Sequence, residues 1–288
     1  MKKLTNKLRK NFAVLILSYG RADSVITIKT LRRCGYTGKI YLVVSDDDPQ
    51  IDEYRKRYLD ILVTFNRKEA SENVDAMDNL PDYRGVIYAR NSCFKIAKEL
   101  NLDYFLELDD DYREFSWRWR KDDELKQTIT NQLDSIFEIF LQFLDDSGAL
   151  TVALSQNGDF IGGLHGSNYQ KELTRKAMNA FFCKTDRPFK FFGRINEDTN
   201  MYVYYGSIGK LVFTSMLSSL EQEPTQQNNN GMTNLYLDYG TYLKSFYSVM
   251  MNPSVVSLMK MGDINMRIHH KVNWKYLTPK IISDRYKK

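Results

Sequence analysis

The stretch FLELDDDY, residues 105–112, decides the fold. In it an apolar strand runs directly into three consecutive carboxylates. Adjacent like charges repel one another, and a hard cation relieves that repulsion. Asp109 and Asp111 share one side of an extended chain, so both can approach one Mg²⁺ or Mn²⁺ that also holds phosphates. A solvated acidic turn is the alternative, but the carboxyl end of a buried parallel strand favours the ligand-binding interpretation.

Upstream of this stretch, apolar strands alternate with helices. The continuous apolar run Phe12–Leu17 is typical of a strand buried on both faces. An apolar-periodic helix follows, which we expect Asp23 to cap and Gly35 to end. This order predicts an α/β fold with a doubly wound, mostly parallel sheet that binds ligands beyond the carboxyl ends of its strands. The further strands are predicted at 39–45, 61–65 and 104–108, and the further helices at 51–58 and 86–100.

Downstream of Asp111 the pattern changes to α+β. We predict helices at 136–144 and 241–251 and a short strand at 150–154. The stretches GGLHG (162–166) and LEQEPTQQNNNG (220–231) are predicted to be flexible loops. We therefore divide the chain into halves at 1–115 and 116–288 and regard them as one domain.

The bulk composition is that of a globular protein, with 288 residues, 43% hydrophobic and 27% charged. The net charge of +5 permits a polyanionic partner without requiring one. Cys34, Cys93 and Cys183 lie far apart, which argues against a disulfide framework and a structural zinc site. The first apolar run is too short for a signal peptide, and no stretch is long enough for a membrane span. These observations predict a soluble, cytoplasmic protein without a membrane partner.

A second signal precedes the acidic strand. Tyr88-Ala89-Arg90-Asn91 opens the predicted helix at 86–100. Arg90 near a helix N-terminus suits an anionic nucleotide, although a salt bridge on the helix surface is an equally good interpretation. ARN followed by helix, strand and DxD resembles the Rossmann-like, nucleotide-sugar-binding half of GT-A glycosyltransferases. That resemblance implies that the nucleotide sugar is contacted by Ser18, Tyr19, Arg21, Asp46, Arg90, Asn91 and Asp110.

The GT-A resemblance also implies two later features. One is an xED motif on a helix N-terminus, matched by Asn196-Glu197-Asp198. Its Asp198 would be the general base of an inverting reaction, with Glu197 as the substitute. The other is a histidine that completes the metal shell begun by Asp109 and Asp111. Because neighbours on a strand point to opposite faces, His269 and His270 cannot both serve, and we choose His270; a purely structural doublet is the alternative.

Longer strings narrow the resemblance further. SYGRAD…LRRCGYTGKIYLVV, YARNSCFKIAKEL…YFLELDDDY, FFGRINEDTNMY and GTYLKSFYSVMMNPS…RIHHKVNW closely resemble the TET-associated glycosyltransferases of tailed phages. This resemblance covers nearly the whole chain. It implies a UDP-sugar donor, Mn²⁺ or Mg²⁺, and an acceptor in phage DNA within the host cytoplasm: a hydroxymethylated pyrimidine or a sugar already on it. Gly163 and His165 would then approach donor and acceptor.

One segment agrees independently with a DNA acceptor. Trp117-Arg118-Trp119-Arg120-Lys121 interleaves aromatic and cationic side chains, which can stack on an extruded base and contact phosphates. The start of an amphipathic helix explains it equally well.

Three other functions are alternatives to a DNA glycosyltransferase: a GT-A enzyme acting on a glycan, lipid or protein, a nucleotidyltransferase, and a non-catalytic DNA-binding module. The last is disfavoured because the carboxylates would repel phosphate without a metal.

Overall fold

The computed structural model describes residues 8–9, 11–170, 176–223, 235, 238–240, 242–261 and 267–277. Its strands are β1 (Phe12–Leu17), β2 (Lys39–Ser45), β3 (Leu62–Phe65), β4 (Tyr104–Asp109), β5 (Tyr112–Lys121), β6 (Glu124–Ile129), β7 (Thr151–Gln156), β8 (Ala180–Lys184), β9 (Val212–Gln222), β10 (Val256–Met261) and β11 (Arg267–Val272). Its helices are α1 (Ile26–Arg33), α2 (Ile51–Tyr58), α3 (Arg67–Ser71), α4 (Ile87–Glu99), α5 (Leu133–Ser147), α6 (Glu197–Ser207), α7 (Tyr242–Met251) and α8 (Trp274–Leu277). Two 3₁₀ turns, Asn157–Phe160 and Gly163–His165, follow β7.

Nine strands form one sheet in the order β3-β2-β1-β4-β8-β7-β9-β5-β6. The first four are parallel, so their carboxyl ends lie at one edge. β8 runs antiparallel to β4 and β7, β9 runs parallel to β7, and β5 pairs antiparallel with β9 and β6. Two residues join β4 to β5, although three strands stand between them in the sheet. Such a link spans at most about 11 Å, less than four strand spacings of about 4.8 Å, so the sheet must curl.

Strand β1 explains why the parallel half is apolar throughout. It is buried along its whole length. Phe12, Val14 and Ile16 pack on one face with side chains of α1 and α5, and the alternate residues pack on the other face with α4 and α6. A strand covered on both faces has no exposed side to place polar residues on, so its sequence does not alternate. Polar side chains therefore collect at the ends of these strands.

The last described elements pack beside α6. α7 and the two-stranded sheet of β10 and β11 contact each other, and Ser245 of α7 donates to the carbonyl oxygen of Ile268 at 2.8 Å. Asn196, immediately before α6, donates to the carbonyl oxygen of Lys244 at 2.6 Å. These bonds bring β11, which carries the histidine pair, to the N-terminus of α6.

The α/β architecture is confirmed, and so are the strands at 12–17 and 39–45 and the helix at 51–58. The predicted cap is wrong: α1 begins at Ile26 with Val25 at the cap position and no side-chain cap, because Asp23 lies in the preceding turn. The three cysteines are buried and free. No helix in the described ranges combines the length and the apolar character that crossing a membrane requires.

Two further differences concern the second half. Residues 220–222, which belong to the predicted loop, are the last three residues of strand β9, because pairing with β5 outweighs their polarity. Residues 224–231 lie outside the described residues. Residues 117–121 continue β5 and do not start a helix. The proposed division between residues 115 and 116 therefore falls inside β5, and both halves contribute strands to one sheet.

Candidate active site

The β4–β5 turn holds the acidic stretch at the carboxyl edge of the sheet. β4 ends at Asp109, and the chain turns back through Asp110 and Asp111. Thr27 of α1 fixes this turn, because its hydroxyl donates to the carbonyl oxygen of Asp109 at 2.8 Å and accepts from the backbone N–H of Tyr112 at 2.9 Å. The position of the carboxylates thus depends on α1 as well as on β4.

Asp110 is buried beneath the end of β1. It accepts hydrogen bonds from Ser18 Oγ at 2.5 Å and from Arg21 Nη1 at 3.0 Å. Burial raises the pKa of Asp110 to about 6, although the Arg21 charge and the Ser18 hydrogen bond oppose this. The structure thus brings together three of the residues predicted to contact the nucleotide sugar.

Asp111 has one oxygen engaged and one without a partner. Its Oδ2 accepts from Gln222 Nε2 at 3.3 Å and lies 3.7 Å from Arg21 Nη1. Its Oδ1 is buried with no hydrogen bond from the described residues. Burial, together with the charges of Asp109 and Asp110, raises the pKa of Asp111 to about 7. A buried oxygen without a partner is costly, and a bound cation would remove that cost.

Arg90 lies inside the protein, with 1% of its surface exposed. Its Nε donates to Glu197 Oε1 at 3.0 Å and its Nη2 donates to Asp109 Oδ1 at 3.2 Å. Glu107 is also fully buried nearby, and burial raises its pKa to about 8 while the Arg90 charge opposes the shift. Arg90 therefore joins the two acidic motifs. The salt-bridge interpretation agrees with this geometry, although the bridge is buried and not on the helix surface.

Asn91 fastens the chain segment that leads into α6. Its Oδ1 accepts from the backbone N–H of Phe191 at 3.0 Å, and its Nδ2 donates to the carbonyl oxygens of Phe191 and Ile87 at 3.1 and 3.0 Å. Both ends of the amide are thus bonded to backbone. The structure gives Asn91 a positioning contact and does not show it facing a nucleotide.

Glu197 and Asp198 occupy the first turn of α6, as expected for the xED motif. Burial raises the pKa of Glu197 to about 7; the Arg90 charge opposes this shift and the Asp198 charge adds to it. Asp198 Oδ1 accepts from the backbone N–H of Thr199 at 2.6 Å. In the described part of the chain no Lys or Arg forms a salt bridge with Asp198, whereas Glu197 is bound to Arg90.

The approach to α6 depends on two residues that the sequence analysis left without a role. Gly193 has φ +79°, and a Cβ there would lie 2.5 Å from Asn200 Nδ2. Arg194 is 2% exposed and donates to both carboxylate oxygens of Asp78 at 2.8 and 2.9 Å. Tyr247 of α7 also donates to Asp78. The Asp78 carboxylate therefore ties the loop before α4 to the segment that leads into α6 and to α7.

The two histidines are neighbours on β11 and their ring centres lie 4.4 Å apart, so the expected separation of the two rings to opposite faces is not observed. His270 is buried and its Nδ1 lies 3.4 Å from Asn196 Nδ2, whereas its Nε2 is buried without a partner among the described residues. Burial lowers the pKa of His270 to about 4, and the charges of His269, Lys176 and Lys244 lower it as well. The imidazole is therefore neutral at pH 7, the form that binds metals. Its role as a ligand stays a prediction.

Two predicted nucleotide contacts lie at solvent-facing strand ends. Tyr19 is 37% exposed, with the guanidinium carbon of Arg67 4.5 Å from its ring centre. Asp46 is exposed and accepts from Asn66 Nδ2 at 2.8 Å. Asp48, for which the sequence suggested no role, is buried and accepts from the backbone N–H of Gly20 at 2.9 Å. The run of three Asp residues before Pro49 is the signal that could have marked Asp48.

The predicted DNA-contacting segment alternates across β5. Arg118 is buried, donates to Asn157 Oδ1 at 2.8 Å and lies 4.0 Å from the ring centre of Phe160. The structure therefore does not support a phosphate contact by Arg118, because its guanidinium is used inside the protein. Trp117 packs against the core.

The exposed residues of the same segment are Trp119, which is 39% exposed, and Arg120, which pairs with Asp123.

Gly163 and His165 belong to the second 3₁₀ turn, which packs against β6. In the described residues no hydrogen bond joins His165 to the carboxylate cluster. The structure therefore places this turn beside the β5–β6 hairpin.

The types of donor atom found here suit a divalent cation, although in the described residues they are not gathered into one cluster. Within the described ranges, no three His, Cys, Asp or Glu side chains lie close enough together to hold a metal ion. Asp111 Oδ1 and His270 Nε2 are nevertheless buried without partners. Carboxylate oxygens suit Mg²⁺ and Mn²⁺, and imidazole suits transition metals.

An α/β sheet whose strand-end carboxylates meet a second acidic pair at a helix N-terminus is the arrangement expected of a GT-A-type glycosyltransferase. The model of the family described as TET-Associated Glycosyltransferase matches residues 12–231, which is more than half of the chain. The chain therefore belongs to that family and is a glycosyltransferase, and the predicted family and fold class are confirmed. Residues 232–288 lie beyond the match. A comparison with curated proteins found no match.

Several solved structures are similar to this chain at low sequence identity. The mannosyltransferase PcManGT from Pyrobaculum calidifontis, in complex with GDP-Man and Mn²⁺, has 10% identity and a TM-score of 0.47 over 85% of this chain and 75% of that one. Glucosyl-3-phosphoglycerate synthase from Mycobacterium tuberculosis, in complex with Mg²⁺ and UDP, has 11% identity and a TM-score of 0.44 over 91% and 88%. TarS 1–349 from S. aureus has 13% identity and a TM-score of 0.43 over 74% and 60%, so this chain spans less than two thirds of it.

Proposed function

We propose that the protein transfers a sugar from a UDP-sugar to a hydroxymethylated pyrimidine in DNA, or to a sugar already on it, with Mn²⁺ or Mg²⁺ as cofactor. The observation that carries the proposal is the contact of one buried arginine with both acidic motifs. Arg90 binds Asp109 after β4 and Glu197 at the start of α6. This contact supports the proposal, because a group transfer between two substrates requires that the residues acting on each substrate lie close together.

The metal would be held by Asp109, Asp111 and His270. When bound, a divalent cation neutralises negative charge on the departing diphosphate. Arg21 adds a cation at the same place, since it contacts Asp110 and Asp111. Ser18, Tyr19 and Asp46 would seat the nucleotide at the ends of β1 and β2.

The general base would be Asp198. The pKa of Asp109 is raised, mainly by burial, and the negative charge of Asp198 adds to this shift. The two carboxylates therefore lie near each other. Glu197 is the weaker candidate, because its oxygen is engaged by Arg90. The assignment of a base favours inversion at the anomeric carbon.

Sugar transfer can be tested with a panel of UDP-sugars and three acceptors: hydroxymethylated DNA, unmodified DNA and simple sugars. We expect metal-dependent release of UDP and a mass increase of one sugar on hydroxymethylated DNA, either bare or already carrying a sugar, and none on unmodified DNA or simple sugars. Transfer to simple sugars and not to DNA would identify a glycan-type acceptor. Release of pyrophosphate from a nucleoside triphosphate would identify a nucleotidyltransferase instead. Either result would contradict the proposed acceptor or reaction.

A further inference from the structure

Three successive backbone N–H groups in the loop after β1 donate to side chains of residues 48–54. The pairs are Gly20 with Asp48 Oδ2 at 2.9 Å, Arg21 with Tyr54 Oη at 2.9 Å and Ala22 with Gln50 Oε1 at 2.8 Å. Successive N–H groups of a loop can form a concavity that binds an anion, but here the protein itself supplies the three acceptors. Binding of a phosphate at this loop would therefore fall mainly to the side chain of Arg21, the one Lys or Arg in residues 18–25.

Tyr54 of α2 is completely buried and connects this loop to the acidic turn. Its hydroxyl accepts from the backbone N–H of Arg21 and lies 2.6 Å from Ser18 Oγ, which donates to Asp110 Oδ2 at 2.5 Å. A backbone N–H can only donate, an ionised carboxylate can only accept, and each hydroxyl has one proton to give. Tyr54 must therefore donate to Ser18, as Ser18 does to Asp110.

Arg21 closes this set of hydrogen bonds into a ring. Its Nη1 donates to Asp110 Oδ1 at 3.0 Å and lies 3.7 Å from Asp111 Oδ2. Arg21 is thus held at two points, by its backbone N–H through Tyr54 and by its guanidinium through Asp110. The hydroxyl of Tyr54 links the two points, and its loss would open the ring while the ion pair of Arg21 with Asp110 stays in place.

Burial and packing both suit Tyr54 to this role. Burial raises the pKa of Tyr54, although the hydrogen bonds to Ser18 and to the backbone of Arg21 oppose the shift, so the hydroxyl keeps its proton at neutral pH and can donate. Tyr54 also belongs to the same apolar core as Val14 and Ile16 of β1, so its ring is held by packing. An arginine that is held in this way before a ligand binds loses little further conformational entropy on binding.

We propose that Tyr54 is a positioning residue of the donor site and orients the guanidinium of Arg21 toward the diphosphate of the nucleotide sugar. This inference rests on the proposed function, which supplies the donor. Arg21 is the group that would touch phosphate oxygens, and its N–H groups form a rigid fork that binds such oxygens well only in a defined orientation. Tyr54 touches neither substrate and acts through Arg21.

The test is Tyr54→Phe, which removes one hydroxyl and keeps the buried ring. We expect the affinity for UDP in the presence of Mn²⁺, measured by isothermal titration calorimetry, to fall by roughly two- to tenfold, the effect of losing one neutral hydrogen bond. The KM for the UDP-sugar should rise to a similar extent, while the KM for hydroxymethylated DNA stays as in the wild type. In an Arg21→Ala background, Tyr54→Phe should cause no further loss of UDP affinity, because Tyr54 acts through Arg21.

Tyr36→Phe is the matched control. Tyr36 is also buried, and its hydroxyl donates to the carbonyl oxygen of Lys39 at 2.8 Å, at the amino end of β2. Thermal unfolding checks that both variants are folded. Unchanged UDP affinity in Tyr54→Phe, an equal loss in Tyr36→Phe, or a further loss in the Arg21→Ala background would overturn the role of Tyr54.

A wild type that does not bind UDP would overturn the proposed donor together with the role of Tyr54. Loss of UDP affinity in Tyr54→Phe as expected, without any transfer to hydroxymethylated DNA by the wild type, would overturn the proposed acceptor and leave Tyr54 as a positioning residue of the donor site.

Discussion

Three neighbouring aspartates of one sequence run have three different environments. Asp109 is bound by Arg90, Asp110 by Ser18 and Arg21, and Asp111 keeps one buried oxygen without a partner. The first two are held in place by protein donors, and the third has unused capacity for a ligand. Asp111 is therefore the residue whose substitution most directly tests metal binding.

Replacing Asp111 by Asn should abolish sugar transfer and leave the fold intact. The change removes a charged ligand and also relieves repulsion with Asp109 and Asp110, so stability should be unchanged or higher. Transfer and thermal unfolding are measured together, with chelation by EDTA as the comparison. Chelation should stop the wild-type enzyme, and Mn²⁺ or Mg²⁺ should restore it. Transfer by Asp111→Asn in the presence of EDTA would rule out this ligand.

Asp198→Asn should separate acceptor chemistry from donor binding. The amide keeps the shape of the side chain, so binding of donor and metal should stay near the wild-type value. Transfer should fall by roughly two to four orders of magnitude, the usual contribution of a positioned base. Glu197→Gln is the matched control and should cost less in kcat. If Glu197→Gln costs more, the roles of the two are reversed; if both variants are active, the base lies elsewhere.

His270→Ala and His269→Ala should differ in metal affinity. His270 is buried and its Nε2 has no partner among the described residues, whereas His269 is partly exposed and its Nδ1 lies 2.7 Å from the carbonyl oxygen of His270. Loss of a residue that only hydrogen-bonds to a metal ligand already weakens metal binding by roughly tenfold. Loss of a ligand itself should weaken Mn²⁺ binding by at least that much. Titration with Mn²⁺, followed by electron paramagnetic resonance, measures this. Equal and small effects of the two changes would assign the pair a structural role.

At the scale of elements, the position of α6 depends on side chains from several parts of the chain. Arg194 and Tyr247 both donate to Asp78, and this joins the loop before α4 to α6 and α7. Although burial alone would raise it, these hydrogen bonds hold the pKa of Asp78 below its usual value of 3.8. The ionised carboxylate therefore stabilises the fold at neutral pH.

Asp78→Asn should lower the free energy of unfolding at pH 7 by about 1.5–3 kcal/mol, the range for a hydrogen bond to a charged group. A carboxyl whose pKa is depressed by folding contributes its stability above the unfolded value and loses it as the pH falls through the folded value. The difference from the wild type should thus be full at pH 7 and shrink below about pH 4. Urea unfolding across pH measures it. Asp238→Asn, at the exposed partner of Arg84, is the control; an equal loss there would contradict a special role for Asp78.

At the scale of the whole molecule, a curled sheet joins the two predicted halves. β5 contains the predicted boundary and pairs with β9, and Phe115 packs in the same core as Phe12 of β1. The halves therefore share both hydrogen bonds and apolar contacts. Neither has a core of its own that could remain folded without the other.

The protein should consequently unfold in one transition. All three tryptophans lie in residues 117–274, so their fluorescence reports the second half, whereas far-UV circular dichroism reports every helix and strand. The two signals should have the same midpoint in urea, as a cooperative unit requires. A UDP-sugar with Mn²⁺ should shift both by the same amount. Separate midpoints would show that the halves are independent domains.

The sequence by itself determined the parallel half and the identity of the acidic motifs. Continuous apolar runs such as Phe12–Leu17 are explained by burial on both faces, and this local pattern suffices to predict strands. Motif spacing also indicated the start of α6 at Glu197.

Tertiary structure alone decided where the long polar side chains go. Arg90 and Arg118 read as surface cations in the sequence, yet both are buried, because partners distant in the chain, Glu197 and Asn157, accept their hydrogen bonds. The strand at 112–121 has mixed polarity, and it forms because β9 supplies its pairing partner. A sequence pattern records which faces are apolar, whereas the burial of a charge depends on whether folding brings a partner of opposite charge or suitable hydrogen bonding to it.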